Sequence, residues 1–266
     1  MYADDTELHF SHGDLSVVEK TLQADVGNVS TWLVVNRFKL NVIKSLCMLI
    51  GSRQRTGGLN LKIMLCGAIL KQVCSTKYLG VYFDQHLTWQ VHVDYVLGRV
   101  RMKLFAMDQV RPASSRVLQL LYQAYILPVL DYCDTVWLPS NSSSTRRLER
   151  LHSKFTSSFH SSDNFNFRSS LTERRTFHTA VQVFKILNKI SPPYLHGIFS
   201  YAVDVTGRSG RNLHRLFVPS VRTNYGKQSL AYRGTAIWNR LPKALYSAKT
   251  GIAEKQPSLA DAIFPD

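Results

Sequence analysis

The apolar pattern of this chain changes period close to Trp89, and that change restricts what it can fold into. Before it, Leu59, Leu61, Ile63 and Leu65 alternate with other residues, the two-residue repeat of a half-buried strand. After it, Val93, Val96, Val100, Leu104 and Met107 recur at steps of three and four, the repeat of a helix with one buried stripe. Strands gathered before position 89 and helices after it predict an α+β fold, a partial sheet over 1–89 and helices over 90–245.

Within the first third, an Asp-Asp pair at Asp4 and Asp5 precedes TELHF (6–10), which alternates as a short strand would. Two adjacent carboxylates repel unless a cation lies between them, and Mg2+ prefers oxygen ligands. The same pair also suits a plain turn, because Asp tolerates tight backbone geometry. Leu15, Val18, Leu22, Val26, Val29 and Leu33 then predict an amphipathic helix with Trp32 near its end. Phe38, Leu40 and Val42 predict extended chain, SLCMLI (45–50) a buried strand and RQRTGG (53–58) a basic turn. KYLGVYFD (77–84) predicts one further strand carrying a glycine at a bend.

Beyond the first long helix, a second is expected from Ser115 to Leu127 with Val117, Leu120, Leu121 and Ala124 inward and Pro128 at its end. Leu148, Leu151, Phe155 and Phe159 mark a third, decorated by Arg146, Arg147, Arg150 and Lys154. Residues 170–195 predict another, with Val181, Phe184, Leu187 and Ile190 inward, stopped by Pro192-Pro193. Residues 200–225 read as loop and carry Arg208, Arg211, Arg215 and Arg222. A short helix in 229–242 packs Trp238 inward; stacking on a base is the alternative for that ring. The tail, 246–266, has weak periodicity and is expected to be poorly ordered.

Charge sets the class of partner. Lys and Arg number 33 against 18 Asp and Glu, a net charge of +15, which favours a polyanion and nucleic acid before a membrane surface. Cys47, Cys66, Cys74 and Cys133 have no CxxC spacing, and the nine histidines show no HxxxH or His-Cys clustering, so a zinc site is not expected. No apolar run reaches membrane length and no signal-peptide pattern opens the chain, so an intracellular location, cytoplasmic or nuclear, is expected.

Five segments also stand in a recognisable order. YADDT (2–6) resembles the palm hairpin of the reverse transcriptases of non-LTR (LINE-type) retrotransposons. WLVVNRFKLNVIKS (32–45) resembles the helix end and lysine motif that follow it in that family. YLGVYFDQHLTW (78–89) resembles the primer-grip region, and YILPVLDYCDTVW (125–137) the thumb. SLAYRGTAIWNRLP (229–242) resembles a segment downstream of the thumb, so the likeness runs from Tyr2 to about Leu245. The implied organisation is a partial palm over 1–89, thumb-like helices over 90–160, a C-terminal helical and loop region over 161–245 and an unrelated tail over 246–266.

The resemblance implies an RNA-directed DNA polymerase with RNA and DNA, as template and primer, for partners. It implies two Mg2+ ions, one activating the primer hydroxyl and one holding the triphosphate. Asp4 would be the principal ligand, Asp5 the auxiliary one, and Tyr2 would lie under the primer end. Lys44 would supply charge or a proton to the departing pyrophosphate; an ordinary surface lysine is the alternative. The family's upstream catalytic aspartate and its fingers do not occur in this sequence, so a chain inactive on its own is the expectation. A non-enzymatic basic nucleic-acid-binding module, or a translated remnant without function, is the alternative. The nucleic-acid contacts expected are Arg146, Arg147, Arg150 and Lys154 on the third helix and Arg99 and Lys103 on the first, with a merely solvated face as the other reading.

Overall fold

A computed structural model describes residues 5–109, 114–138, 142–156, 170–207 and 213–242. Tyr2, Asp4, Phe159, Arg208, Arg211 and the tail 246–266 lie outside the described residues. The chain divides into two compact units, Met1–Val91 and His92–Asp266.

The first unit is organised by α1 (Leu15–Val35). Asp14 caps it, accepting from the Ser16 N–H at 2.9 Å, and that bond, with the Ser16 hydroxyl, holds the Asp14 carboxyl below its usual range. Val18 is buried with Leu15, Leu22 and Val26 packed around it, against Leu61, Ile63, Leu65 and Leu70. Each of those leucines and isoleucines, once buried, contributes about 1.5–3 kcal/mol.

Residues 60–65 keep the period of two, with Leu61, Ile63 and Leu65 buried and their neighbours exposed, but Leu59, expected on the same face, is exposed. Ladder bonds form only at the end of this stretch, where β2 (Met64–Leu65) pairs antiparallel with β3 (Ala68–Ile69) across a Cys66–Gly67 turn with φ of 50° and 81°. The Leu70 N–H also reaches the Ile63 carbonyl at 2.8 Å, and side chains take others of the backbone groups. Glu19 of α1 accepts from the Lys62 N–H at 2.8 Å. Gln23, one helical turn on, accepts from the Met64 N–H at 2.8 Å and donates to the Met64 carbonyl at 2.9 Å. Gln72 accepts from the Leu61 N–H at 2.6 Å and donates to the Leu59 carbonyl at 3.1 Å.

Several expected strands are corrected. Residues 6–10 carry no strand. Of SLCMLI, only β1 (Leu46–Cys47) is a strand, pairing parallel with β4 (Lys71–Gln72), and Leu46 and Ile50 are exposed rather than buried. RQRTGG holds one helical turn, α2 (Arg53–Thr56). KYLGVYFD is not one bent strand but the hairpin of β5 (Ser75–Tyr78) and β6 (Val81–Asp84). Leu79 and Gly80, at φ of 44° and 85°, make its two-residue turn, because two positive φ values match the twist of the flanking strands.

At the end of β6, Asp84 is buried and its carboxylate gathers the loop that leads into the next helix. It accepts from the N–H groups of His86 (3.1 Å), Thr88 (3.0 Å) and Trp89 (2.8 Å) and from the Thr88 hydroxyl (3.2 Å). Trp89, held at φ 63°, is buried edge-on against Phe83 at 5.3 Å.

The second unit is helical, with α3 running from Gln90 to Asp108 and burying His92, Val93, Val96, Leu97, Val100 and Met107. The expected second helix does not stop at Pro128. α4 (Ser115–Leu121) widens into a π turn over Tyr122–Ile126, where the Leu127 N–H reaches back five residues to Tyr122, and continues as α5 (Leu127–Asp131). Proline in a regular helix would collide with the carbonyl four residues back; the wider turn removes that conflict. The inward face is therefore Tyr122, Ile126 and Leu130, while Val117, Leu120 and Ala124 are exposed.

α6 spans Ser142–Thr156 and α7 Leu171–Leu187. A reciprocal Ser170–Glu173 capping box starts α7. It ends before the two prolines, because Lys189 adopts φ 58° and the Lys189 and Ile190 N–H groups bond back to Ile186 and Lys185. Ile190 is accordingly exposed. The expected loop over 200–225 contains α8 (Ala202–Thr206) and an isolated bridge between Tyr201 and Leu216. After α9 (Asn224–Gln228) comes α10 (Leu230–Trp238), which packs on α7 through Ala180, Val183, Phe184, Phe199 and Trp238. The contact needs Gly234: a Cβ there would sit 2.8 Å from Val183 and 2.8 Å from Phe199. Asn239 clamps Leu216 as Gln23 clamps Met64, accepting from its N–H at 2.9 Å and donating to its carbonyl at 3.0 Å.

Asp84→Ala removes four charge-assisted bonds from a buried turn and should lower unfolding stability by about 2–4 kcal/mol. Chemical denaturation of the two proteins measures it, and a loss within error of zero would refute the role given to Asp84.

Candidate nucleic-acid interface

On α6 the basic residues follow helical geometry. Ser144, Leu148 and His152, four apart, form the buried row. Arg146, Arg150 and Lys154 are offset from them by two positions, roughly 200° around the helix, and are exposed. Arg147 stands beside that row, half-buried, with its guanidinium 2.8 Å from the Asp94 carboxylate of α3. The two basic residues expected on α3 are anchored to tyrosines. Arg99 donates to the Tyr95 hydroxyl at 3.3 Å and lies 5.8 Å from its ring. Lys103 donates to the Tyr125 carbonyl at 2.7 Å, 5.7 Å from the Tyr125 ring.

Asp5 is exposed, and it and Glu7 lie close to Tyr78, whose hydroxyl is held above its usual range first by desolvation and then by these two carboxylates. Lys44 is exposed in a turn, its N–H bonded to Asn41. Among the described residues, no trio of metal-ligating side chains comes together around Asp5.

Such a trio occurs elsewhere. Asp131, Asp134 and His178 bring ligand atoms within 4.8 Å of one another. Arg174 bonds both Asp131 oxygens, Nε to Oδ1 at 3.2 Å and Nη2 to Oδ2. His178 Nδ1 is 2.6 Å from the buried Asp134 carboxylate. Buried Arg175 lies 4.3 Å over the Trp137 ring. Desolvation lowers its pKa, against the pull of Asp134, Glu149 and Asp131. With Asp131 held by Arg174 and Asp134 by His178, the trio is a polar network that ties the end of α5 and the turn after it to α7.

Around it, Glu149 of α6 accepts from the N–H groups of Leu171 (3.1 Å) and Thr172 (2.9 Å), so a carboxylate sits at the positive end of α7. Tyr122 and His152 Nδ1 are 2.6 Å apart, and burial pushes the tyrosine hydroxyl up. Arg233 of α10 donates to the Thr135 carbonyl at 2.7 Å and the Gln228 carbonyl at 2.8 Å. The sequence carried a signal for this network that composition hides: Arg174 and His178 stand one helical turn apart on α7, and Asp131, Asp134 and Trp137 recur at every third position.

His92 packs edge-on against Trp137 at 4.6 Å. Burial, then the charge of Arg175, lowers its pKa from 6.5 to about 4. Between those two pH values the unfolded chain binds a proton that the folded chain refuses, so stability falls as pH drops through this window. His92→Phe, which keeps a ring against Trp137, should flatten that part of the stability–pH curve relative to wild type. Equal slopes in urea titrations across the window would contradict it.

No family model matches the chain, and no solved structure matches it. The chain is similar to the retrovirus-related Pol polyprotein from type-1 retrotransposable element R1 4 of Nasonia vitripennis, 30% identical over 105 residues. That stretch is 37% of this chain and 26% of the relative, so the chain spans about a quarter of the relative's length. The similarity relates the chain to a retrotransposon Pol polyprotein. No helix among the described residues is long and apolar enough to cross a membrane.

Proposed function

We propose that this chain is the section of a non-LTR retrotransposon reverse transcriptase that runs from the palm hairpin through the thumb, and that its own part is to hold template and primer. The similarity to a Pol polyprotein over 105 residues carries the reading. The net charge of +15 and the exposed basic row on α6 support it. A row of cations spaced four residues apart advances about 6 Å per step along a helix, so one exposed face can meet several phosphates of a strand. Such contacts position a backbone and carry no sequence information.

The palm chemistry of the family needs Mg2+ between carboxylates, and here only Asp5 of the pair is described, exposed and outside any trio of ligands. Among the described residues, Asp5 alone does not complete a site for the ion. What α6 does is separate from that chemistry: each cation neutralises a phosphate and releases condensed counterions.

Replacing Arg146, Arg150 and Lys154 together by Glu reverses the exposed row and leaves the Arg147–Asp94 pair in place. Filter binding to two unrelated duplexes and one hairpin RNA should weaken for all three alike. Each lost phosphate contact should reduce the slope of log K against log salt by ~0.9 on duplex DNA. Unchanged affinity and slope, or a marked preference for one sequence, would sink the reading.

A further inference from the structure

The first unit has a charge pattern of its own. Residues 26–83 hold eight Lys or Arg and no Asp or Glu. All eight are exposed. No carboxylate of this stretch itself offsets them; Glu19 at the Lys62 N–H and Asp5 and Glu7 close to Tyr78 come to it from the preceding residues.

Among these cations lies a built aromatic step. α1 ends at Val35, Asn36 caps it, and Arg37 takes φ 60°. The Arg37 N–H bonds the Val34 carbonyl at 3.0 Å and the Phe38 N–H bonds the Leu33 carbonyl at 2.8 Å. This reversal folds Phe38 back onto Trp32, with ring centroids 6.1 Å apart and planes within 10°. A left-handed arginine costs of order 1 kcal/mol or more, and the ring contact helps to offset it. A contact that only closed the helix end would bury the rings; here Trp32 remains 52% and Phe38 61% exposed. Arg37, Lys39 and Lys44 flank the pair in sequence and are exposed.

We propose that the first unit docks single-stranded nucleic acid on this step, with a base stacked on Trp32–Phe38 and backbone phosphates on Arg37 and Lys39. Parallel exposed rings with cations next to them in sequence suit a polynucleotide, because every base has a face to stack and every linkage a charge to meet. The strand must be single, since in a duplex the base faces are already covered by one another. Thr6 borders Trp32 in the shallow apolar cleft that also includes Val29 and Leu33. Its neighbours Asp5 and Glu7 repel phosphate on that side, so the backbone runs toward Arg37 and Lys39. This surface rests on the polyanion partner proposed above, but lies in a different unit from α6.

Tryptophan emission tests it in the full chain. Trp89, Trp137 and Trp238 are 6%, 0% and 6% exposed, so the solvent-exposed part of the emission belongs to Trp32. Titrating oligo(dT) or oligo(U) should quench that emission to saturation. An abasic strand of the same length and charge should bind about tenfold more weakly. Phe38→Ala should weaken oligo(dT) binding to the abasic level while leaving abasic affinity and the salt slope unchanged; Trp32→Leu, followed by filter binding, should do the same. Abasic and oligo(dT) strands binding equally, or saturation without quenching, would overturn the proposal. So would emission in the free chain that shifts with protein concentration, which would make the step a contact between copies. If the α6 reversal abolishes binding and Phe38→Ala changes nothing, this surface falls and the α6 reading stands. If the wild type binds no polynucleotide, both fall.

Discussion

Side-chain amides doing the work of a neighbouring strand are the interaction on which both units depend. A buried backbone N–H or C=O left unpaired costs about 1–3 kcal/mol, so an extended segment without a full ladder must find partners elsewhere. Gln23 meets both groups of Met64, Gln72 bridges Leu59 and Leu61, and Asn239 meets both groups of Leu216. Each clamp fixes the register of an extended segment against a helix or a short strand. Leu61, Ile63 and Leu65 can then point into the core of the first unit and Leu216 into that of the second.

The same economy of pairing governs the charges. Where cations enter the interior of the second unit, a carboxylate, a ring or a carbonyl meets them: Arg174 on Asp131, Arg175 over Trp137, Arg233 on Thr135. These residues build the fold and are poor candidates for contact with a ligand. Cations that remain outside, on α6 and across residues 26–83, are what a polyanion would meet. A positive chain therefore separates into cations that hold helices together and cations that face solvent, and only burial distinguishes them.

Periodicity made much of the helical part legible. The stripes of α1, α3 and α6 recur along most of their length, so a few irregular residues do not hide them. Strands were harder because the chain satisfies them through side chains, which no local pattern announces. Leu61, Ile63 and Leu65 show the expected alternation of burial, though Leu59 does not, and only Met64–Leu65 forms a ladder. The hairpin at Leu79–Gly80 was hidden because leucine rarely takes a positive φ, and the π turn at Tyr122–Ile126 because a proline ordinarily ends a helix. Of the candidate site, the basic row of α6 was legible as spacing. That Arg147 pairs with Asp94 and Lys103 with Tyr125 depends on contacts between helices far apart in sequence, whereas Arg99 meets Tyr95 one turn away on the same helix.

The clamps can be observed one amide at a time. Native-state hydrogen exchange followed by NMR reports whether the Met64 and Leu216 N–H groups are protected. In the wild type both should exchange far more slowly than exposed loop amides. Gln23→Leu should expose Met64 to fast exchange while Leu216 keeps its protection, and Asn239→Leu should do the reverse. Fast exchange at both positions in the wild type, or protection that survives loss of its own clamp, would contradict the account.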